Sequence, residues 1–470
     1  MTGLKLALPK GRLLGQTRAL LERAELGLDG YSEGSRHYRL ASSCLADVGA
    51  KIFQERDIPI QVAIGNYDLG VCGCQWLEEL VSGYPQVGLV RIADLEYGKG
   101  TVFAAVSAFS DYKSAQDLAG RKDVLRIVSE YPSIAMSVAV RLRLRRFQVF
   151  PLWGRAEAYL PENSDLAVLW RESGAGIHAE GLTPLFEVLA GGACLVANKS
   201  SWESRDLGLV VGRICQAVRP AQETGPSLIG SMPANIRQAP VENPTEFTWL
   251  ALPDGHQQNH ASKFLEKAGI NVEGYSANTQ NCYPVVSLPG VKVKIVRPHD
   301  MPMQVANGNF DLAVTGKDWL EDHKCRFPSS PVEEVLDLGF GRVRIVAAID
   351  GAEPVENIPQ LKQWMRTRGG ALRVASEYVN LADRFAREHH LVPYKVIPTW
   401  GATEAFIPED ADLLIENTET GRTLAEHNLR VIDTLAVSSA CVIGNTNALN
   451  SPGRRAGILG VVDAMRKGLA

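Results

Sequence analysis

No apolar run in this sequence exceeds strand length without being broken by charge, which leaves no candidate for a membrane-spanning helix. The opening MTGLKLALPKGRLL lacks the apolar core of a secretory signal. A cytoplasmic protein with no membrane partner is therefore expected. A basic excess is missing too: 49 Lys and Arg against 53 Asp and Glu leave a net charge of -4, without the bias that nonspecific nucleic-acid binding needs. Any anionic ligand is expected to be small and held locally. The eight cysteines are scattered, and the one close pair, Cys72 and Cys74, has no second Cys or His pair nearby to complete a metal site. Buried, reduced thiols are the expected state.

What the chain has is length and self-similarity. At 470 residues with 45% hydrophobic side chains it exceeds what one core organises, so two to four domains are expected. ALPKG at Ala7 to Gly11 recurs as ALPDG at Ala251 to Gly255, and DIPIQVAIGNYDLGVCGCQWLE from Asp57 recurs as DMPMQVANGNFDLAVTGKDWLE from Asp300. SEY follows at Ser129 and Ser376, WG at Trp153 and Trp400, and Ala-Cys with Asn four residues beyond the cysteine closes each series at Asn198 and Asn445. The order is kept and the offset stays between 243 and 247 residues, the mark of one whole unit duplicated and not of a short-repeat solenoid. Residues 1–218 and 245–470 are the two units. Between them, residues 219–244 carry five prolines and no periodicity, as a linker does. A duplicated dimeric ancestor would let the halves pack as a covalent pseudo-dimer, with a higher oligomer left open.

Within the first unit, LKLAL from Leu4 reads as a buried strand and LLGQTRALLERAEL as the helix after a Pro-Lys-Gly turn. IQVAIGNYDLGVCG, FAAVSAF, VLRIVSE, FQVFPLW, DLAVLW and ACLVAN are further strand candidates, while IAMSVAVRLRLRR and HAEGLTPLFEVLA read as helices. This alternation predicts α/β lobes with mostly parallel sheets. Chain segments near Phe103 to Ser110 and Leu189 to Asn198 read as paired crossover strands, so each unit divides into two lobes. These are about 1–102 plus 188–218 and 103–187 in the first unit, and about 245–344 plus 432–470 and 345–431 in the second.

The strongest local motif is IENTETGRTL, Ile415 to Leu424, at a strand end and helix start. Backbone N–H groups around Gly421 and the hydroxyls of Thr418, Thr420 and Thr423 can surround a phosphate, with the helix dipole adding to the field. Glu416 and Glu419 are placed to accept ribose hydroxyls or to help hold Mg²⁺. A threonine-rich helix cap would read the same way. In LALPKGRLL, Lys10 and Arg12 flank Gly11 and suit a departing pyrophosphate, although lysines after strands are common on surfaces. KIVRPHDMP places Arg297 three residues before Asp300, whereas IFQERDIP has Gln54 at the arginine position and Arg56 just before Asp57; both aspartates also read as helix N-caps.

Taken together and in order, LALPKGRLL, the Ser35-Arg36 dipeptide, R-x-x-D-x-P, N-x-D-L-x-x-x-G, LDLGFGRVRIVA from Leu336, SEY, the G-x-x-E of Gly401 to Glu404 and E-T-G-R-T-L resemble ATP phosphoribosyltransferase. The resemblance implies α/β, bilobal, periplasmic-binding-protein-like units in tandem, each with a cleft between its lobes. It implies phosphoribosyl pyrophosphate at the threonine-glycine loop, ATP opposite, Mg²⁺, and attack of adenine N1 on the anomeric carbon with release of pyrophosphate. Carried onto this sequence, Lys10, Arg12 and Arg36 hold phosphates, Glu416 the ribose, and Thr418, Glu419, Thr420, Gly421, Arg422 and Thr423 the 5-phosphate, with Glu404 lining the site. The matching loop of the first half offers Glu172, Ser173, Gly174 and Gly176. Arg297 is expected to serve the first half's cleft, as the family's dimer arrangement implies.

Neither half keeps the full pattern. The first has Leu169 where Glu416 stands and Gly176 where Thr423 stands. The second has Asp254 for Lys10, His256 for Arg12 and no match for Arg36, and a carboxylate in that turn should repel pyrophosphate. Three functions remain open: an active ATP phosphoribosyltransferase, a catalytically silent nucleotide-binding regulator, and a phosphoribosyltransferase for another acceptor base.

Overall fold

The computed structural model describes residues 3–33, 38–120, 123–218, 247–276 and 282–469. Arg36 and the proline-rich segment 219–244 lie outside them. The chain forms two compact units. The first contains residues up to 152 and from 164 onward in the first repeat, together with Trp400–Ala405; the second contains the rest of the second repeat together with Trp153–Asn163. Each unit is thus completed by a short segment from the other repeat.

The first unit has a six-stranded sheet in the order Arg39–Ala41, Val48–Phe53, Leu4–Pro9, Leu69–Gly73, Ala193–Asn198, Leu89–Asp94, and a five-stranded sheet in the order Leu182–Gly191, Gly100–Ser107, Leu166–Arg171, Leu125–Ser129, Phe147–Pro151. Among the described residues the second unit repeats the five-stranded order in full and the six-stranded order without its edge strand Arg39–Ala41. One sheet runs Val291–Val296, Thr248–Pro253, Leu312–Gly316, Ala440–Asn445, Val332–Asp337, and the other runs Leu429–Ser438, Val343–Asp350, Leu413–Thr418, Leu372–Ser376, Tyr394–Pro398. Each of the four sheets packs its own apolar core, with Leu8, Val71 and Ile214 in one, Ile127 and Val138 in another, Leu252 and Val462 in the third, and Val374 and Phe385 in the fourth. The architecture is α/β, with two bilobal units in tandem.

Three expectations need correcting. The sheets are mixed: Leu4–Pro9 runs parallel to both neighbours, but Ala193–Asn198 is antiparallel to Leu69–Gly73, and Gly100–Ser107 is antiparallel to Leu166–Arg171. The chain crosses between lobes and back, and the crossing strands enter each sheet from the opposite end. HAEGLTPLFEVLA is mostly strand: the helix Gly174–Ala179 ends before Gly181, whose φ of +74° turns the chain into the ladder with Gly100–Ser107. The first four residues of IQVAIGNYDLGVCG belong to the helix Asp57–Ala63, and only Leu69–Gly73 is strand. Gly70 admits that helix, since a Cβ there would meet the Ile58 and Val62 side chains at 2.7 Å.

His323 in the helix Lys317–Arg326 stands where the first repeat has Leu80, and it bonds Ser330 Oγ through Nε2 at 2.7 Å. Burial, with Arg326 and Lys324 nearby, pushes its imidazole down to about 4. A histidine held neutral on folding contributes stability that is present above its unfolded pKa of about 6.5 and is lost as pH falls through the folded value. The melting temperature of the protein should therefore drop more steeply between pH 6.5 and 4 than that of His323→Leu. Parallel profiles would show that the imidazole is solvated.

Candidate functional site

In each repeat the first strand, buried and paired on both sides, ends in a turn that presents one polar side chain. Lys10 follows Leu4–Pro9 in extended conformation, and Gly11 at φ +78° turns the chain toward the helix Leu14–Arg23. Asp254 follows Thr248–Pro253, and Gly255 at φ +68° leads into the helix His256–Lys267. The positive φ explains glycine at both places.

The first unit's turn is an open cationic site. Lys10 Nζ lies 3.4 Å from Tyr38 Oη and over that ring, and makes no ion pair among the described residues. Tyr38 Oη donates to Glu404 Oε1 at 3.2 Å, and Glu404 comes from the borrowed segment Trp400–Ala405. Burial, reinforced by the Glu404 carboxylate, pushes the Tyr38 phenol up to about 12, so it stays protonated and donates. Arg12 is already engaged: Nη2 pairs with Glu55 Oε1 at 2.9 Å, Nη1 donates to the Gly98 carbonyl at 3.0 Å, and the guanidinium rests on Trp170. Gln75 also donates to Glu55, whose carboxyl burial raises and Arg12 opposes. The loop from this unit's other lobe leaves Glu172 and Ser173 exposed, with open space at the Cβ positions of Gly174 and Gly176.

The borrowed segment is held by stacking. The Arg56 guanidinium lies 5.1 Å from the Trp76 ring and 4.1 Å from the Trp400 ring. In the second unit the same column reads Trp153, His299, Trp319, with ring separations of 3.9 and 4.6 Å, so imidazole replaces guanidinium. The aspartates that follow do not cap their helices with their side chains, contrary to the capping reading. Asp300 instead accepts the Trp153 N–H on both oxygens, at 3.2 and 3.1 Å. Asp57 is wholly buried beside the Trp400 backbone N–H; desolvation raises its pKa well above the usual range, against the pull of Arg56 and that amide.

The second unit's turn is closed. Arg155, also from a borrowed segment, binds Asp254 Oδ2 through Nε at 2.6 Å, and Arg297 Nη1 lies 3.3 Å from the same oxygen. Arg297 passes alongside Gly154, where a Cβ would stand 2.9 Å from its Nε. Arg297 is thus placed on Asp254 of its own repeat and beside Gly154 of the first. Asp254 meets two cations, which replaces the picture of an uncompensated repelling carboxylate.

At the threonine loop, Thr418 Oγ1 accepts the Gly421 N–H at 2.9 Å and Thr420 Oγ1 the Arg422 N–H at 3.3 Å, with Gly421 at φ +78° before the short helix Arg422–Glu426. Glu419, Thr420, Arg422 and Thr423 are exposed, and Arg422 pairs with Glu426. Glu416 accepts from Asn417, whose Nδ2 reaches Tyr378 Oη at 2.9 Å, and Tyr378 donates to Asp318 at 2.5 Å. Lys10, Arg12 and Glu404 thus share the first unit, while Glu416 to Thr423 and Arg297 share the second. Sequence reasoning missed Tyr38, Glu55 and Arg155; the tyrosine repeated at Tyr38 and Tyr283 was the one available signal.

The family model for ATP phosphoribosyltransferase matches residues 54–219 and 297–467, one segment in each repeat. The chain belongs to the ATP phosphoribosyltransferase family. Among relatives, the ATP phosphoribosyltransferase of Moorella thermoacetica is 32% identical over 225 residues, 47% of this chain and 93% of that protein. That of Prosthecochloris aestuarii is 29% identical over 211 residues, 44% of this chain and 66% of that protein. Among solved structures, an ATP phosphoribosyl transferase (HisG:HisZ) complex from Thermotoga maritima is 22% identical, with 47% of this chain and 98% of that chain covered and a TM-score of 0.39. The alkanesulfonate-binding protein SsuA from Xanthomonas axonopodis pv. citri is 15% identical, with 46% and 73% covered and a TM-score of 0.30.

Proposed function

We propose that the chain transfers the 5-phosphoribosyl group of phosphoribosyl pyrophosphate to N1 of ATP, as the first step of histidine biosynthesis in the cytoplasm, and that the turn of the first unit receives the diphosphate. The observation that carries this reading is the contrast between the turns: Lys10 presents an ammonium without a carboxylate partner among the described residues, whereas Asp254 is closed by two arginines. The lone pair of adenine N1 forms the bond to the anomeric carbon as the bond to the diphosphate oxygen breaks, and pyrophosphate leaves with that electron pair. The nucleophile needs no strong base, so the protein's part is to orient the reactants and neutralise the leaving group. Lys10 meets the developing charge, and Tyr38, whose proton goes to Glu404, accepts from the ammonium and positions it.

No group of three or more His, Cys, Asp or Glu among the described residues is arranged to hold a metal ion. The residues do not fit a dedicated magnesium cage, and in this reading Mg²⁺ arrives as the counter-ion of the diphosphate. Among the described residues no helix is long and apolar enough to cross a membrane.

A second reading, a silent nucleotide-binding partner of a complete enzyme, is favoured by the closed Asp254 turn and by Leu169 in the first unit's loop. Purified protein assayed with ATP, phosphoribosyl pyrophosphate and Mg²⁺, with pyrophosphatase to draw the reaction forward, decides between them. Formation of N1-phosphoribosyl-ATP is expected. No product, with nucleotide binding intact, would establish the second reading.

A further inference from the structure

The Asp254 cluster does more than lack a lysine. Asp254 is 4% exposed and sits between two guanidiniums from different parts of the chain, Arg155 at 2.6 Å and Arg297 at 3.3 Å. Arg155 Nη1 also donates to Cys282 Sγ at 3.3 Å, and that thiol faces Glu157 Oε1 at 3.6 Å. Two converging arginines are the geometry that binds phosphate oxygens, and a charge-assisted pair of this kind is strong when partly desolvated. Here the oxygens at the centre belong to a side chain. The next acidic group along, Asp300, is occupied by the Trp153 N–H and by His299 Nδ1 at 3.3 Å.

We infer that Arg155 and Arg297 form a latent anion site in the second unit whose built-in occupant is the Asp254 carboxylate, so that the intact chain binds a diphosphate at one turn only. The inference rests on the proposed use of the Lys10 turn for its count of sites, but the latent site itself does not. A tethered carboxylate cannot diffuse away, and a free diphosphate must compete with a partner held at very high effective concentration. Removing the charge at Asp254 while keeping its shape leaves two cations converging on a neutral amide and opens the site.

The test is pyrophosphate binding by equilibrium dialysis at low salt, on the full chain, with circular dichroism to verify the fold. Wild type is expected to bind about one equivalent, Lys10→Ala to weaken it by roughly tenfold or more, and Asp254→Asn to bind about two. The second equivalent should vanish again in Asp254→Asn/Arg155→Ala. A folded Asp254→Asn that stays at the wild-type stoichiometry would overturn the latent site, as would a wild type that already binds two. If Asp254→Asn does not fold, Arg155→Ala in the otherwise native chain decides: unchanged stoichiometry supports an occupied site, and loss of an equivalent overturns it. Failure of Lys10→Ala to weaken binding would count against the proposed function alone, because the gain at Asp254 is read separately.

Discussion

Lys10→Ala should lower kcat/KM for phosphoribosyl pyrophosphate by roughly 10- to 150-fold, while Lys317→Ala changes it little. The difference follows from what each ammonium already touches. Lys317 lies in ion pairs with Glu334 at 2.9 Å and Asp337 at 2.8 Å on an accessible surface, where such pairs contribute about 0–1 kcal/mol. Lys10 has a phenol and a ring as neighbours, so a ligand phosphate would be its counter-charge, and a charge-assisted contact of that kind is worth roughly 1.5–3 kcal/mol. Steady-state kinetics of the two variants at varied phosphoribosyl pyrophosphate make the comparison. Equal kinetics would return Lys10 to the ordinary role of a lysine that solvates a strand end.

The second large effect concerns stability, and its order runs against exposure. Lys294 is wholly buried, with Nζ 2.7 Å from Glu162 Oε2 and 3.0 Å from Asn163 Oδ1, over the rings of Trp249 and Tyr283. Glu162 is 27% exposed. Glu162→Gln removes the carboxylate that pairs with a wholly buried ammonium, which costs about 3–5 kcal/mol. Lys294→Met leaves a carboxylate that reaches solvent and keeps an apolar stem in place, at a cost on the order of 1–2 kcal/mol. Urea unfolding should therefore show the lower midpoint for Glu162→Gln, with Glu162→Leu/Lys294→Met recovering much of the loss. The reverse order would mean that the two rings and Asn163 hold the ammonium without help from the carboxylate.

Much of the fold was legible because local rules agreed. LALPKG announced a strand, a turn and a helix through a buried run followed by Pro, Lys and Gly, and the repeated order of motifs implied repeated sheet orders. HAEGLTPLFEVLA misled because its apolar spacing suits a helix as well as a half-buried strand. What chose was the neighbouring strand Gly100–Ser107 and the backbone at Gly181, and neither is visible in a short window. The candidate site could be read as a local pattern wherever one turn or loop held it, as at Lys10 and at Thr418 to Thr423. Arg155 was invisible for a different reason: its partner Asp254 is 99 residues away, and the contact exists only because a segment of one repeat completes the other unit. Asp254 was noticed as a loss of charge, and the structure shows that the charge is balanced by long-range partners.

The borrowed segments also give the chain a timetable during synthesis. The second unit's extra piece, Trp153–Asn163, leaves the ribosome before any other part of that unit, so it is waiting when its companions arrive. The first unit has the opposite problem, because nearly all of it has been made by residue 218 while Trp400–Ala405 is still unmade. At about 5–20 residues per second that gap lasts roughly ten to forty seconds. Throughout it, Trp76 and Arg56 lack the Trp400 ring, and Tyr38 lacks its Glu404 acceptor. A nascent first repeat is therefore an unfinished object that holds a Trp–Arg stack open at one end, and a chaperone that binds aromatic surface would find its target there before the second repeat has been translated.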